Sequence, residues 1–150
     1  MNRILAIDPG TKCGWAVSDH EAGVWDLRVR SGEGAGMRLV RFRSYLREVL
    51  DSGVQLVAYE DVLRHAGTAA AHIYGAIVGC LQEECENRKV PYVAIHWGTI
   101  KKHATGKGNA GKDLMVSSAQ KQWGSHVTDD NEADARWIRE VAILQYGGGF

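Results

Sequence analysis

Four acidic residues of this 150-residue chain fall where they could act together. Asp8 closes a short apolar run, Ile4-Leu5-Ala6-Ile7, and opens the turn Asp8-Pro9-Gly10. Glu60 closes a second apolar stretch that starts at Val54. Asp130 and Asp134 lie four apart at the start of a helical pattern, and so on one helix face. Carboxylates gathered at one sheet edge repel, and one must take up a proton unless a cation intervenes. Oxygen donors with no histidine at metal-ligand spacing suit magnesium, with manganese as a substitute, better than zinc. Two such ions about 3.5–4 Å apart can activate a water and stabilise the leaving oxygen of a phosphodiester. Singly, each acid has a plain structural use. Asp-Pro-Gly is a common turn, a Glu after a strand is usually solvated, and Asp129-Asp130 makes a good helix N-cap. Together, each at an element end compatible with one sheet edge, they favour hydrolytic chemistry.

A basic segment accompanies them. Lys101, Lys102, His103, Lys107 and Lys112 fall within 12 residues that contain no acid. Such a patch neutralises phosphates and positions a nucleic-acid backbone. Glycines at 106, 108 and 111 allow close approach to a bulky duplex. Lys107 or Lys112 could also stabilise charge developing on a phosphate. Gly106 to Lys112 imitates a Walker A loop, but Asp113 stands where Ser or Thr should meet magnesium, and the preceding residues do not read as a strand. Trp97 and Trp123 flank the segment and could stack on bases, although core packing is the more ordinary use of tryptophan. Nothing in their surroundings singles out His65 or His72.

The elements that must position these residues follow from pattern. Strands are expected at Ile4–Ile7, Trp15–Val17 and Val24–Val29, joined by short turns that favour antiparallel pairing. A glycine-rich link precedes an amphipathic helix, Met37–Leu50, with arginines 38, 41, 43 and 47 on its wet side. Val54–Glu60 reads as a central strand. An alanine-rich helix spans Thr68–Asn87, and its Gly75 and Gly79 permit close backbone packing against a neighbour. A fifth strand covers Val90–Ile95, the segment Thr99–Lys112 reads as a loop, and helices follow at Asp113–Trp123 and Asp130–Tyr146. Gly147–Gly149 reads as a frayed tail. A helix between the fourth and fifth strands implies parallel pairing with a right-handed crossover. The expected fold class is α/β, a five-stranded mixed sheet flanked by helices, in a single domain spanning 1–150.

Composition narrows the class. Hydrophobic residues make up 45% and charged residues 24%, an ordinary globular mixture. The formal net charge is zero, unlike many nucleic-acid binders, so any basic surface must come from arrangement. Cys13, Cys80 and Cys85 lack zinc or disulfide spacing and read as reduced, buried thiols in a cytoplasmic setting. No apolar run reaches membrane-spanning length, and Met1-Asn2-Arg3 leads straight into a strand without a signal-peptide pattern.

Several motifs carry a resemblance. Ile4-Leu5-Ala6-Ile7-Asp8-Pro9-Gly10-Thr11, continuing to Gly14-Trp15-Ala16-Val17, resembles the opening motif of RuvC-type resolvases. Val57-Ala58-Tyr59-Glu60 resembles their second motif, and Asp130-Asn131-Glu132-Ala133-Asp134-Ala135 their third. Thr105-Gly106-Lys107-Gly108-Asn109-Ala110-Gly111-Lys112 is similar to the basic loop of phage members. The matches span nearly the whole chain in order.

The resemblance implies a ribonuclease H-like fold, a homodimer, and paired nicks across a four-way DNA junction, in a bacterial cell or phage-infected host. It places metal-ligand roles on Asp8, Glu60 and Asp134. The fourth ligand lies among Asp130, Asn131 and Glu132, with Asp130 the better charged candidate. Asp8 would bridge both magnesium ions, the other acids would hold one each, and Lys101, Lys102, Lys107 and Lys112 would grip DNA. No nucleotide cofactor is implied. Other readings are an RNA nuclease of the RuvX/YqgF type, whose opening resembles Asp8 to Asp19, and a branched-DNA-binding protein without catalysis. An actin-like ATPase is disfavoured, because one small domain cannot close over a nucleotide as two lobes do.

Overall fold

Residues 3–148 are described by a computed structural model, so Gly149 of the expected tail lies outside the described residues. Five strands build one sheet: β1 (Ile4–Asp8), β2 (Lys12–Ala16), β3 (Ala22–Asp26), β4 (Leu56–Asp61) and β5 (Tyr92–His96). Their order is β3-β2-β1-β4-β5. The hairpin-connected strands β1, β2 and β3 pair antiparallel, whereas β1–β4 and β4–β5 pair parallel. This is the mixed sheet expected from the short early turns and the later helical crossover.

Helices cover both faces. α1 (Met37–Leu50) and α2 (Thr68–Arg88) lie on one side; α3 (Trp97–Thr105), α4 (Lys112–Trp123) and α5 (Asp130–Tyr146) lie on the other. The two-residue period of a strand divides the core between them. Leu5 and Ile7 of β1, with Val57 and Tyr59 of β4, meet Phe42, Leu46, Ile77 and Leu81. Ile4 and Ala6, with Leu56 and Ala58, meet Ile138, Val141 and Ala142 of α5. Small Ala6 and Ala58 let α5 sit close on the central strands. Arg139 fastens it there by donating to the Ile4 carbonyl at 3.2 Å.

The structure corrects several boundaries. The largest correction concerns Thr99–Lys112, expected as a loop: Trp97–Thr105 is helical, and only 106–111 connects it to α4. His96 caps this helix, its Nδ1 accepting from the Gly98 amide at 3.1 Å, while Ile100 anchors it in the core. Gly106 ends it at φ +81°. One apolar anchor is too little to show as helical periodicity. The third strand also stops early, at Asp26 rather than Val29. The Asp26 carboxylate accepts from the Arg28 amide at 3.1 Å and turns the chain away. Lys12 pairs with Asp26, so β2 begins three residues before the expected Trp15.

Two surface expectations change as well. Arg43 and Arg47 of α1 do not simply face water; both pair with Glu84 of α2, which is 3% exposed. Gly75 and Gly79 are exposed on α2, and among the described residues nothing would lie within 4 Å of a Cβ at either.

Gly14 sets where α5 begins. It is the register partner of Asp8, and a Cβ there would lie 1.9 Å from the Asn131 carbonyl oxygen. The first turn of α5 therefore rests directly on the backbone of β2. Gly14→Ala must displace helix or strand, because the obstacle is backbone. Destabilisation of about 3 kcal/mol is expected, at the upper end for overpacking. Thermal denaturation should show Tm lowered by roughly 6–12 °C; an unchanged Tm would disprove the contact.

Candidate active site

The sheet brings the two strand-borne acids together. Ile4 pairs with Leu56 and Ala6 with Ala58, so Asp8 and Glu60 come next in the same alternation. Both side chains therefore leave the sheet on the α5 face, just past the apolar residues that bury the helix. α5 arrives with its N-terminus at that end. The Asp129 carboxylate caps it, accepting from the amides of Asn131 at 2.7 Å and Glu132 at 3.3 Å. Buried Ala133 and Ala135 seat the first turns, which places Asp130 and Asp134 towards Asp8 and Glu60.

The electrostatics show how tightly these acids are gathered. The Asp8 carboxyl is held well above the usual carboxylate range, first by burial, then by the charges of Asp134, Glu60 and Asp130. Asp134 is pushed up to about 7, by burial and by repulsion from Glu60 and Asp130. Glu60 is raised by burial, partly offset by its hydrogen bond to Asp8 and by Lys101.

Among the described residues no three His, Cys, Asp or Glu side chains stand ready-placed around a common point for a metal ion. Mutual repulsion, rather than completed ligand geometry, is what the arrangement displays. In kind and charge the donor set fits a hard divalent cation: all are carboxylates, and their repulsion is what a cation relieves. Asp8, Glu60, Asp130 and Asp134 are the residues that could hold it.

The three candidates for the fourth position have different partners. Asp130 acts electrostatically on both Asp8 and Asp134. Glu132 is committed elsewhere, to Arg136 at 2.9 Å. Asn131 has its carbonyl against Gly14.

The basic residues divide into two groups. Lys101, on α3, acts on both Glu60 and Asp134, and Lys112 lies 3.6 Å from Asp130. Lys102 and Lys107 are exposed and are not among the charges acting on the four acids. The Walker-like segment is fed by a helix, α3, rather than by a strand. His103 stands edge-on to Trp137, with centroids 5.7 Å apart. Trp123 packs against the core and against Trp137, as ordinary packing predicts. Trp97 instead lines an open cavity beside Glu60.

One positioning group had no signal in the sequence. The Tyr74 hydroxyl, on α2, donates to the Glu60 carbonyl at 2.8 Å and accepts from the Val62 amide at 3.3 Å. It clamps the main chain on both sides of Asp61, at the root of Glu60. Reading Tyr74 from sequence would have required knowing that α2 starts beside the end of β4.

No family model and no curated protein matches the chain. Solved structures do. A Thermus thermophilus RuvC in complex with a Holliday junction substrate matches at TM-score 0.74 and 23% identity, over 92% of this chain and 90% of that one. A second Thermus thermophilus RuvC structure matches at TM-score 0.73 and 21% identity, over 96% of each. The fold is therefore ribonuclease H-like, as the motifs implied.

The raised acid makes folding pH-dependent in a definite direction. Asp134 binds its proton up to about pH 7 in the folded chain, against about 3.9 when unfolded. Between those values the folded state holds the extra proton, so stability falls as pH rises and levels off above the folded value. The slope should stay below about 1.4 kcal/mol per pH unit for this group. Chemical denaturation from pH 5 to 8 in a chelator should show the decline, and Asp134→Asn should make it shallower, leaving the part due to Asp8 and Glu60. A variant as steep as the native chain would contradict the assigned cause.

Proposed function

We propose that this chain is a metal-dependent endonuclease that hydrolyses phosphodiesters in branched DNA, with the four-way junction as its principal substrate. The observation that carries the reading is the gathering of Asp8, Glu60, Asp130 and Asp134 at one sheet end, against their own repulsion. Support comes from the shared fold, since one matched RuvC structure holds a Holliday junction substrate.

The charges of Glu60, Asp130 and Asp134 all act on Asp8, which would take the principal ligand role. Bound magnesium or manganese ions would supply an activated water and stabilisation of the leaving oxygen. Lys101 offsets the acids' charge from the α3 side and faces the approaching phosphate. Lys112 releases Asp130 and engages the strand, an inexpensive exchange because its side chain is 83% exposed. Lys102 and Lys107 extend the basic surface and grip the backbone away from the cut. A homodimer would present two sites to a symmetric junction. The exposed face of α2 at Gly75 and Gly79, where two backbones could approach closely, supports that assembly.

The decisive test incubates labelled four-way junction, flap, linear duplex and structured RNA with magnesium or manganese. Paired, symmetric nicks on the junction are expected. Preferential cutting of RNA would move the chain to the RNA-nuclease reading, and junction binding without cutting in either metal would leave a binding protein. Asp8→Asn should slow nicking by about three orders of magnitude, the scale of losing a principal electrostatic contact, while junction binding in a chelator persists. Turnover retained by that variant would defeat the mechanism.

The peripheral lysines have a different signature. Lys107→Gln should weaken binding evenly across sequences and lower the slope of log affinity against log salt by about 1. An unchanged slope would remove Lys107 from the interface.

A further inference from the structure

Beside the four acids lies a cavity of about 510 Å³, within the range of about 300–1,000 Å³ usual for small-ligand sites. Glu60 belongs to both. The other walls are Leu63 and Arg64 from the segment after β4, and His96, Trp97 and Lys101 from the β5–α3 junction. This mixture is unlike a gap in a core. Lys101 and Arg64 place two cations on the cavity's walls, and among the described residues Arg64 has no carboxylate partner. The Lys101 ammonium rests over the Trp97 ring, 4.9 Å from its centroid. The His96 ring lies 5.4 Å from the same indole, tilted by 31°. Trp97 is only partly buried. Leu63, 66% exposed, gives the mouth an apolar lip.

We infer that this cavity receives a single unpaired nucleotide next to the phosphate that is cut. The inference rests on the nuclease reading for the position of that phosphate, but not for the binding chemistry. An aromatic wall, an apolar lip and two cations match a nucleotide, which joins a flat π-face to an anionic backbone. A cation on a partly exposed ring is weakly held, so an incoming phosphate draws Lys101 off the indole and leaves that face to the base. Glu60 fixes the distance: a base seated against Trp97 belongs to a nucleotide adjoining the one over the carboxylates. A base inside a duplex cannot enter without unpairing and unstacking, and that cost is least where the strand is already open. The cavity therefore selects for branched or single-stranded DNA by shape. None of the four acids need supply that selectivity.

Photo-cross-linking with 5-iodouracil tests this. The probe is placed singly at successive positions of a short single-stranded oligonucleotide and of a four-way junction, with a chelator present to prevent cutting. The expected result is one dominant cross-link, mapped by mass spectrometry to Trp97 or a neighbouring wall residue. In the junction it should arise from a nucleotide adjoining the nick mapped with magnesium. Trp97→Ala should lower affinity for the single strand about tenfold, and Trp97→Phe by less than about threefold. Circular dichroism checks that each variant is folded. If Trp97→Ala does not fold, the cross-link in the native chain and the Trp97→Phe affinity decide. Cross-links confined to residues outside these walls, or a folded Trp97→Ala with native affinity, overturn the inference. A chain that nicks junctions but cross-links elsewhere loses the subsite alone. One that cross-links at Trp97 but nicks nothing keeps the subsite and loses the nuclease reading.

Discussion

Asp8, Glu60, Asp130 and Asp134 repel one another, and the parts of the chain that hold them in place must do so against that repulsion. The opposing contacts are specific. Buried residues on both faces of β1 and β4 fix the two strand ends in register. Gly14 lets the first turn of α5 rest on β2. Arg139 ties α5 to the Ile4 carbonyl, and Arg136, buried and paired with Glu132, donates to the Asp19 carbonyl at 2.9 Å. Asp129 is part of the same design, since its carboxylate is turned to the helix amides and away from the cluster. Tyr74 secures the main chain at Glu60 from the opposite layer. Each contact lies within a turn or two of an acid.

Charge arrangement explains how a chain of zero net charge can still present a basic surface. Most arginines are spent internally. Arg43, Arg47 and Arg88 surround Glu84 between α1 and α2, and Arg3, Arg41, Arg136 and Arg139 each pair with an acid. Lys102 and Lys107, by contrast, have no carboxylate partner among the described residues. The guanidinium's fixed fork suits structural pairs, whereas the flexible ammonium suits a surface that must release water and meet phosphate. Net charge averages over this division and conceals it.

What the sequence made legible follows the same physics. Short apolar runs ending in acids were visible because burial on both faces leaves an uninterrupted hydrophobic signature, as in Ile4–Ile7 and Leu56–Tyr59. The limits of α5 were legible because Asp129 is a strong cap and the apolar stripe behind it is long. α3 was not legible. One buried side chain, Ile100, and a cap supplied by a histidine at the end of a strand leave no periodic trace. The early end of β3 at Asp26 likewise depends on a side chain folding back onto its own backbone, which competes with strand pairing locally. That Glu132 pairs with Arg136 is likewise a tertiary fact, although the two lie four apart on one helix.

The segment from Val62 to Ala66 lies between two cavities. One, about 510 Å³, opens towards Trp97 and Lys101; the other, also about 510 Å³, opens towards Pro9, Gly10 and Thr11. Arg64 lines both. At its root the segment is held by the Tyr74 hydroxyl, and His65 leans on the Tyr74 ring with centroids 4.8 Å apart. At its tip Leu63 stands in solvent. If the chain cuts branched DNA as proposed, a strand reaching Asp8 and Glu60 would pass on one side of this ridge or the other, and two strands diverging at the carboxylates could occupy both sides at once. An unbroken duplex, whose strands stay about one helix diameter apart, cannot be split in this way without unpairing. On the proposed reading, the ridge would act through main-chain placement and one shared guanidinium rather than through the acids themselves.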